Sequence, residues 1–277
     1  MNVNIQNSGL RRNYIDKFYT NNNAVLLCIN NIRTTLNISD DDLIIEPSAG
    51  NGSFINEIKN LSNNYQFYDI SPEHDEIIVQ DYLDLDIEQF INRDYKIHII
   101  GNPPFGKQSS LTFKFIKKSC QFCDTFSFIL PKSFKKNSMK NKIPLNFHLV
   151  FENDIPSNSF LINDVAYDVP CVFQIWEKRL YNRLVPNKLI PINFQFVKKD
   201  ESPDVSFRRI GINAGTFYIN SENKSEESHY FIKFLNNRSI DYNLNTLNGI
   251  MFECNNTVGP KSISKQELIA NIDFLLY

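Results

Sequence analysis

The chain has 277 residues, of which 42% are hydrophobic and 22% are charged, an ordinary globular balance. That length suffices for one large domain, or for a domain with an appendage. The formal net charge of -2 does not identify a nucleic-acid-binding protein by itself. The N-terminus is polar and lacks the apolar core of a signal peptide, and the early apolar run AVLLCI is too short to cross a membrane. These features predict a soluble intracellular protein with no membrane partner.

Cysteine and histidine spacing predicts no metal site. Cys120 and Cys123 form a lone CxxC, and the chain has no second ligand pair at a spacing that zinc requires. A redox role is the alternative, but buried structural thiols are the commoner explanation for such cysteines.

Short apolar strands alternate with helical segments through the first two thirds of the chain. Helices are predicted from about Ser53, over residues 87–91 and through residues 110–118. The predicted strands cover residues 43–46, 65–69, 76–80, 96–101, 125–131, 147–154 and 169–178. This alternation indicates a mostly parallel α/β sheet of seven strands, and the last two strands indicate an antiparallel hairpin at one edge.

The sequence changes in character after Glu177, where it becomes irregular and contains several prolines. We therefore predict a first domain over residues 1–180 and a small C-terminal α+β region over residues 181–277. In that region the stretch FRRIGINAGTFYIN is typical of two short strands.

Four of the predicted strands end at polar residues: Glu46, Asp69, Asp81 and Asn102. Taken singly, each is more often an exposed strand end or a helix cap. Ligands of parallel α/β sheets, however, bind outside the carboxyl ends of the strands. Because four polar residues follow four successive strands, the sequence predicts a ligand site at this edge of the sheet.

The stretch IIGNPPFGKQSS, residues 99–110, ends an apolar strand abruptly. Pro103 and Pro104 have no backbone N–H, so the segment can neither continue a central strand nor enter a helix interior. The prolines therefore hold the amide of Asn102 and the ring of Phe105 in a stiff loop.

Charge is distributed unevenly on the two sides of this loop. Residues 41–94 contain thirteen Asp or Glu against two basic residues, and residues 107–142 contain nine lysines against one Asp. The lysines are interpreted either as a solvated face or as a surface that follows a phosphate backbone.

The order of the segments FYT, EPSAGNGSF, YDISP, VQDYL and GNPPF resembles that of S-adenosylmethionine-dependent amino-methyltransferases. The resemblance is closest to the DNA N6-adenine enzymes in which the cofactor motifs precede the catalytic motif, and it covers residues 17–178. It implies the Rossmann-like class I methyltransferase fold, with S-adenosylmethionine as cofactor.

The resemblance also implies roles for individual residues. Asp69 is expected to hold the cofactor ribose and Asp81 its adenine amine. The other residues implied to contact the cofactor are Tyr19, Thr20, Glu46, Ser48, Gly50, Gly52, Ile70, Tyr82 and Asn102.

The implied catalytic residues are those of the loop Asn102, Pro103, Pro104 and Phe105. The Asn102 side chain and the Pro103 carbonyl would accept the two hydrogens of the target amine, so that its lone pair points at the methyl group. Phe105 would stack on the target base after it is flipped out of a duplex, and Phe160 is the candidate for the opposite face.

The substrate class stays open between alternatives, with DNA favoured. Phe105 stands where many relatives have Tyr, and Phe there also occurs in RNA adenosine N6-methyltransferases. Release-factor glutamine methyltransferases, which act on a side-chain amide, and a silent nucleic-acid-binding subunit are the remaining alternatives. Lys107, Arg208 and Arg209 are candidate nucleic-acid contacts, although the arginine pair is interpreted equally well as a solvated strand edge.

Overall fold

The computed structural model describes residues 18–162, 165–252 and 261–277 of the chain. The chain divides into two compact units between Val185 and Pro186. We call the part before this division the N-terminal unit and the part after it the C-terminal unit. The division lies beyond the sequence boundary at residues 180 and 181, because Arg183 is bound to the N-terminal unit. Its guanidinium donates to the carbonyls of Lys140 and Ile143 at 2.6 and 3.0 Å.

The N-terminal unit contains ten strands and four α-helices within its described residues. The helices are α1 (Asn22–Thr35), α2 (Ile55–Lys59), α3 (Ser110–Ser119) and α4 (Asn137–Lys140). The strands are β1 (Tyr19–Thr20), β2 (Leu43–Glu46), β3 (Asn64–Asp69), β4 (Ile78–Val79), β5 (Ile97–Gly101), β6 (Thr125–Pro131), β7 (Phe147–Asp154), β8 (Phe160–Ile162), β9 (Val165–Tyr167) and β10 (Cys171–Lys178).

Seven of these strands form one sheet in the order β4-β3-β2-β5-β6-β10-β7. The pairs from β4 to β6 are parallel, and β10 runs antiparallel to both β6 and β7. This is a Rossmann-like fold, and it confirms the predicted mostly parallel sheet with an antiparallel hairpin at one edge. The parallel strands place their carboxyl ends, and the polar residues that follow them, at one edge of the sheet.

The central strands are buried on both faces, which explains their mostly apolar sequences. Every residue of β2, β5 and β6 is buried, as expected where helices cover both sides of a parallel sheet. The outer strand β4 is shorter than the predicted segment 76–80, and both of its residues are exposed.

A second, three-stranded sheet lies in the N-terminal unit, in the order β1-β8-β9. Tyr19 pairs with Leu161 and Thr20 with Phe160 in antiparallel register, and Phe160 pairs in turn with Tyr167. The sequence did not predict these strands. They fix the position of β1, and therefore of Thr20, relative to residues much later in the chain.

Asp42 connects the beginnings of the central strands. Its carboxylate accepts from the backbone N–H of Ser39 at 2.8 Å and of Lys96 at 2.9 Å, and lies 3.4 Å from the His98 ring. Burial raises the pKa of Asp42, but these hydrogen bonds outweigh burial and hold its pKa below the ordinary value. Burial lowers the pKa of His98 despite the Asp42 carboxylate, so the His98 ring is neutral near pH 7.

We expect Asp42→Asn to lower the free energy of unfolding by about 1–3 kcal/mol, because an amide cannot accept every hydrogen that the buried carboxylate accepts. Urea denaturation at pH 7 measures the loss, with the exposed neighbour in Asp41→Asn as matched control. Stability from Asp42 is present above its unfolded pKa near 3.8 and is lost as pH falls below it. The folded protein keeps His98 neutral, whereas the unfolded chain protonates it at about pH 6.5. The free energy of unfolding therefore begins to fall at that pH, before the Asp42 contribution is lost. Equal denaturation midpoints for the two variants would contradict this role of Asp42.

The C-terminal unit is a small α+β structure with its own core. Its four-stranded sheet has the order β11-β14-β12-β13 and is antiparallel throughout. One face packs against the helices around Phe207 and Ile232. The elements are β11 (Phe194–Val197), β12 (Val205–Arg208), β13 (Phe217–Tyr218), β14 (His229–Phe234), α5 (Ile240–Leu247) and α6 (Lys265–Ile272).

No helix in the described part of the chain is long and apolar enough to span a membrane. The cysteines of the CxxC are free thiols, and burial raises the pKa of both Cys120 and Cys123. Burial therefore disfavours the reactive thiolate at this pair. Across the described ranges no three His, Cys, Asp or Glu side chains are grouped to hold a metal.

Candidate active site

The glycine turn after β2 is held against the end of β3. Gly50 and Gly52 have φ of 55° and 81°, values that side chains rarely adopt. The backbone N–H of Gly50 donates to Asp69 Oδ2 at 2.9 Å. A Cβ at Gly52 would lie 2.8 Å from Ile55 Cδ1, so the turn has no room for a larger residue there. The predicted tight turn is therefore present, and Asp69 anchors it.

Each carboxylate oxygen of Asp69 accepts one hydrogen bond from a neighbouring backbone N–H and so fixes the adjacent loops. Oδ2 accepts from Gly50 and Oδ1 accepts from the backbone N–H of Ser71 at 2.8 Å. Each carboxylate oxygen can accept more than one hydrogen, so the half-buried side chain retains capacity for a ligand's hydroxyls. The next residue, Ile70, is 72% exposed, and it places an apolar surface beside this carboxylate.

Glu46, at the end of β2, is the most unusual ionisable group of the site. Its side chain is 2% exposed, and Oε2 has no hydrogen-bond partner among the described residues. Burial, and then the negative charge of Asp69, raise the pKa of Glu46 well above the ordinary value. The position of Gly101 allows this close packing, because a Cβ there would lie 3.2 Å from Glu46 Cγ. A buried, unpartnered carboxyl is costly and is typical of functional sites.

Asn102 follows β5 and is held by hydrogen bonds from two directions. Its Nδ2 donates to Thr20 Oγ1 at 3.3 Å, and its backbone carbonyl accepts from Ser48 Oγ at 3.2 Å. With Nδ2 committed to Thr20, the side-chain oxygen Oδ1 is the atom that remains to accept from a ligand. The predicted neighbours Thr20, Ser48 and Asn102 therefore do meet in the structure.

The rest of the loop is fixed to α3. The Thr112 hydroxyl, which has one hydrogen, lies 3.3 Å from the carbonyl oxygens of both Pro104 and Phe105 and donates a shared bond to them. Pro103 is buried, and the Phe105 ring is half-buried. The turn at Gly106 has a φ of 65°. The stiffness that the two prolines predicted is thus reinforced by hydrogen bonding to a helix.

Tyr19 closes the site on the side of the glycine turn. A Cβ at Gly50 would lie 3.4 Å from the Tyr19 ring, so the ring covers this glycine closely. The Tyr19 hydroxyl donates to Glu73 Oε1 at 2.5 Å. Burial, followed by this bond to the Glu73 carboxylate, raises the pKa of Tyr19, so the hydroxyl keeps its proton. Glu73 was not predicted; its position four residues after Asp69 is the sequence signal that indicates it.

Tyr82 differs from expectation, and the adjacent Asp81 is held by a local hydrogen bond. Asp81 caps a short 3-10 helix by accepting from the Leu83 N–H at 2.9 Å, and it stays exposed. Tyr82 is 1% exposed, and its hydroxyl lies 2.8 Å from the hydroxyl of Ser119 in the core. Its ring stacks on Phe115 with centroids 5.4 Å apart. The Tyr82 side chain is therefore a core residue rather than a cofactor contact, because an aromatic ring beside an apolar helix is stabilised by burial.

Phe160 requires a similar correction. The residue is 1% exposed because its strand is covered on that side, so it offers no ring face to a base. Its neighbour across the sheet is Tyr167, which is half-buried and lies 5.7 Å from the half-buried ring of Phe18. Tyr167 was not among the predicted site residues. It is the better aromatic candidate near Thr20, since Thr20, Phe160 and Tyr167 are in register across β1, β8 and β9.

The predicted basic contacts belong to two different units of the chain. Lys107 is exposed directly after the loop. Lys132 and Lys135 both pair with Asp154 at about 3 Å, so their charges are partly compensated. Arg208 and Arg209 belong to the C-terminal unit and are described below.

No protein-family model matches the sequence, and no curated protein matches it. Among solved structures, a candidate RNA methyltransferase from Pyrococcus horikoshii is 13% identical, with a TM-score of 0.46 and coverage of 64% of this chain and 95% of that one. The modification subunit of a candidate type I restriction enzyme from Vibrio vulnificus YJ016 is 13% identical, with a TM-score of 0.45 and coverage of 58% and 44%. The 23S rRNA methyltransferase ErmE is 14% identical, with a TM-score of 0.41 and coverage of 61% and 72%. These likenesses identify no substrate, so function is inferred below from the residues of the site.

Proposed function

We propose that this chain is an S-adenosylmethionine-dependent methyltransferase that transfers a methyl group to the exocyclic N6 amine of adenine in DNA. The observation that supports this most is the fixed position of Asn102, at the same sheet edge as Glu46 and Asp69. Its side-chain amide donates to Thr20, and its backbone carbonyl accepts from Ser48. An acceptor oxygen held rigidly at this edge is suited to orient an amine for transfer.

The residues at the strand ends fit S-adenosylmethionine. That cofactor carries positive charge on its methionine part, and the unpartnered, buried Oε2 of Glu46 is suited to accept from a cation. Asp69 has lone pairs for the ribose hydroxyls, Ile70 offers an apolar surface for the adenine ring, and Asp81 is exposed to accept from the adenine amine. When bound, the cofactor supplies an electrophilic methyl group on its sulfonium.

Asn102 and the Pro103 carbonyl activate the target amine in this proposal. The lone pair of adenine N6 is delocalised into the ring, which makes the amine a poor nucleophile. Two acceptors of hydrogen bonds from its N–H groups favour a tetrahedral nitrogen, whose lone pair is then free to attack, and the methylated nitrogen then releases one proton to solvent. The shared bond from Thr112 to the loop carbonyls keeps this geometry, so positioning supplies much of the acceleration.

Phe105 is the proposed stacking surface for the target base. In a duplex the N6 amine is paired, so the base must leave the helix, and an aromatic ring compensates for the lost stacking. Tyr167 replaces Phe160 as the candidate for the second ring. Phe105 is also the observation that favours RNA adenosine as the alternative substrate, since it lacks the hydroxyl of the tyrosine in many DNA enzymes.

The direct test is transfer of labelled methyl from S-adenosylmethionine to duplex DNA, single-stranded DNA, structured RNA and capped RNA, each digested to identify the modified nucleoside. We expect N6-methyldeoxyadenosine from duplex DNA. The Asn102→Ala protein, prepared in parallel, controls for contaminating methyltransferases. N6-methyladenosine from RNA alone would transfer the assignment to RNA. Label in none of the nucleic acids, with cofactor bound, would contradict both.

A further inference from the structure

The C-terminal unit contains a pocket with a volume of about 290 Å³. Two aromatic rings line it, those of Phe196 on β11 and Tyr230 on β14, with centroids 5.5 Å apart and an angle of 73° between them. The Tyr230 hydroxyl donates to the Ile263 carbonyl at 3.2 Å, which fixes the ring. We call this the Tyr230 pocket.

Both aromatic rings of the Tyr230 pocket make cation–π contacts. Lys265 Nζ lies 4.4 Å from the centroid of Phe196 and 5.7 Å from that of Tyr230, and the Arg209 guanidinium lies 5.4 Å from the Tyr230 centroid. Arg209 also donates one bond to the Glu227 carbonyl at 2.7 Å. A guanidinium has five N–H donors, so this bond orients Arg209 and leaves donors for a ligand.

The charge of the pocket is strongly positive. Lys198 and Lys199 line it together with Arg209 and Lys265, and Glu226 is the acidic residue among its lining side chains in the described ranges. His229 also lines the pocket, and burial lowers its pKa, so it adds no charge near pH 7. Four cations against one carboxylate contrast with the formal charge of -2 for the whole chain. Like charges held this close repel each other, and an anionic ligand would relieve that repulsion.

We propose that the Tyr230 pocket binds a phosphate group of a nucleic-acid strand. The volume of about 290 Å³ lies just below the range of about 300–1,000 Å³ that is usual for ligand pockets, which suits one nucleotide better than a larger ligand. The choice of nucleic acid over other sources of phosphate rests on the proposed function. The inference that the pocket binds a phosphate rests on its cationic residues alone. Of the two arginines that the sequence indicated, the structure assigns Arg209 to this site. Arg208 instead donates to the Ile210 carbonyl at 2.8 Å.

The test is binding of a fluorescein-labelled single-stranded oligonucleotide to the full chain, followed by polarisation without S-adenosylmethionine. Lys265→Gln and Arg209→Gln should each weaken binding about threefold to tenfold at low salt, and the double variant more. Each should also reduce the slope of log affinity against log salt by about 0.7, the value for one phosphate contact on a single strand. Arg238→Gln, which removes an exposed cation over Tyr242 outside the pocket, should bind as wild type.

The outcomes separate this inference from the proposed function. Equal affinities for the pocket variants and Arg238→Gln, or no strand binding by the wild-type chain, would overturn it even if methyl transfer occurs. The chain could instead bind anionic phospholipid vesicles in a way that depends on Lys265 and fail to bind the oligonucleotide. That result would also overturn the inference and indicate a lipid phosphate. Pocket-dependent strand binding would uphold it even if methyl transfer fails.

Discussion

Replacing Asn102 with alanine is expected to reduce methyl transfer by about 100- to 1,000-fold, the cost of removing one oriented hydrogen-bonding group from a transition state. Cofactor affinity should stay close to that of the wild type. The bond from Ser48 Oγ goes to the backbone carbonyl of Asn102, which alanine retains. The substitution therefore removes the acceptor Oδ1 and leaves the loop in place.

Two further variants make this result specific. Asn63→Ala removes an exposed amide elsewhere in the N-terminal unit and should leave transfer unchanged. Thr20→Val keeps Asn102 but removes the acceptor of its Nδ2, and it should lower transfer about twofold to tenfold because one neutral hydrogen bond is lost. Single-turnover rates and cofactor titration, measured on the same preparations, separate chemistry from binding. Turnover near the wild-type rate in Asn102→Ala would refute the proposed mechanism.

The sheet could be predicted because its strands are buried on both faces. A strand covered by helices on each side is apolar on both faces, so β2, β5 and β6 are mostly apolar, with buried polar residues such as Glu46, His98 and Ser127 among them. Prediction and structure give the same bounds for β6, Thr125–Pro131. The edge strand β4 lacks this signal because it is exposed.

The three-stranded sheet could not be predicted, because its pairing is not local. A strand of two residues, Tyr19–Thr20, has no periodicity, and its partner Leu161 is far along the chain. The side of the sheet on which each residue falls depends on that register. Phe160 and Tyr167 are paired across β8 and β9, and no local pattern in the sequence shows this pairing, so Tyr167 was not selected.

The positions of the strand-end acids could be predicted, but their hydrogen bonds could not. A carboxylate at the end of a strand is visible in the sequence, whereas its partners come from loops whose geometry the fold decides. Asp69 anchors Gly50 and Ser71, and Asp81 caps a turn. Glu46 differs, because its Oε2 is left without a partner among the described residues.

Glu46→Gln is expected to stabilise the free protein while weakening its affinity for S-adenosylmethionine. The raised pKa means that the folded protein holds a proton on Glu46 which the unfolded chain releases above about pH 4.5. Stability is therefore complete below that pH and is lost as pH rises toward the folded pKa. Each unit of the raised pKa costs about 1.4 kcal/mol at a pH above both values. Glutamine has nearly the same shape and cannot ionise, so it removes this cost.

The same substitution should weaken cofactor binding about 10- to 100-fold, which corresponds to losing a hydrogen bond to a charged group. In the wild type, a cation that binds beside Glu46 favours the ionised carboxylate, so affinity should rise with pH as the proton leaves. The glutamine variant should show a flatter pH dependence over the same range. Thermal unfolding of the free protein and calorimetric titration of the cofactor from pH 5 to pH 8 measure both effects. Glu88→Gln, at an exposed position, is the matched control.

The two effects of Glu46→Gln must occur together for the interpretation to hold. A carboxyl that serves only the fold would make the variant less stable and leave cofactor affinity unchanged. A carboxyl that binds the cofactor at the expense of stability gives higher stability and lower affinity in one protein, a trade-off typical of functional sites. Lower stability with unchanged affinity would thus remove Glu46 from the cofactor site. Asn102 and Asp69 would remain as independent tests of the proposed function.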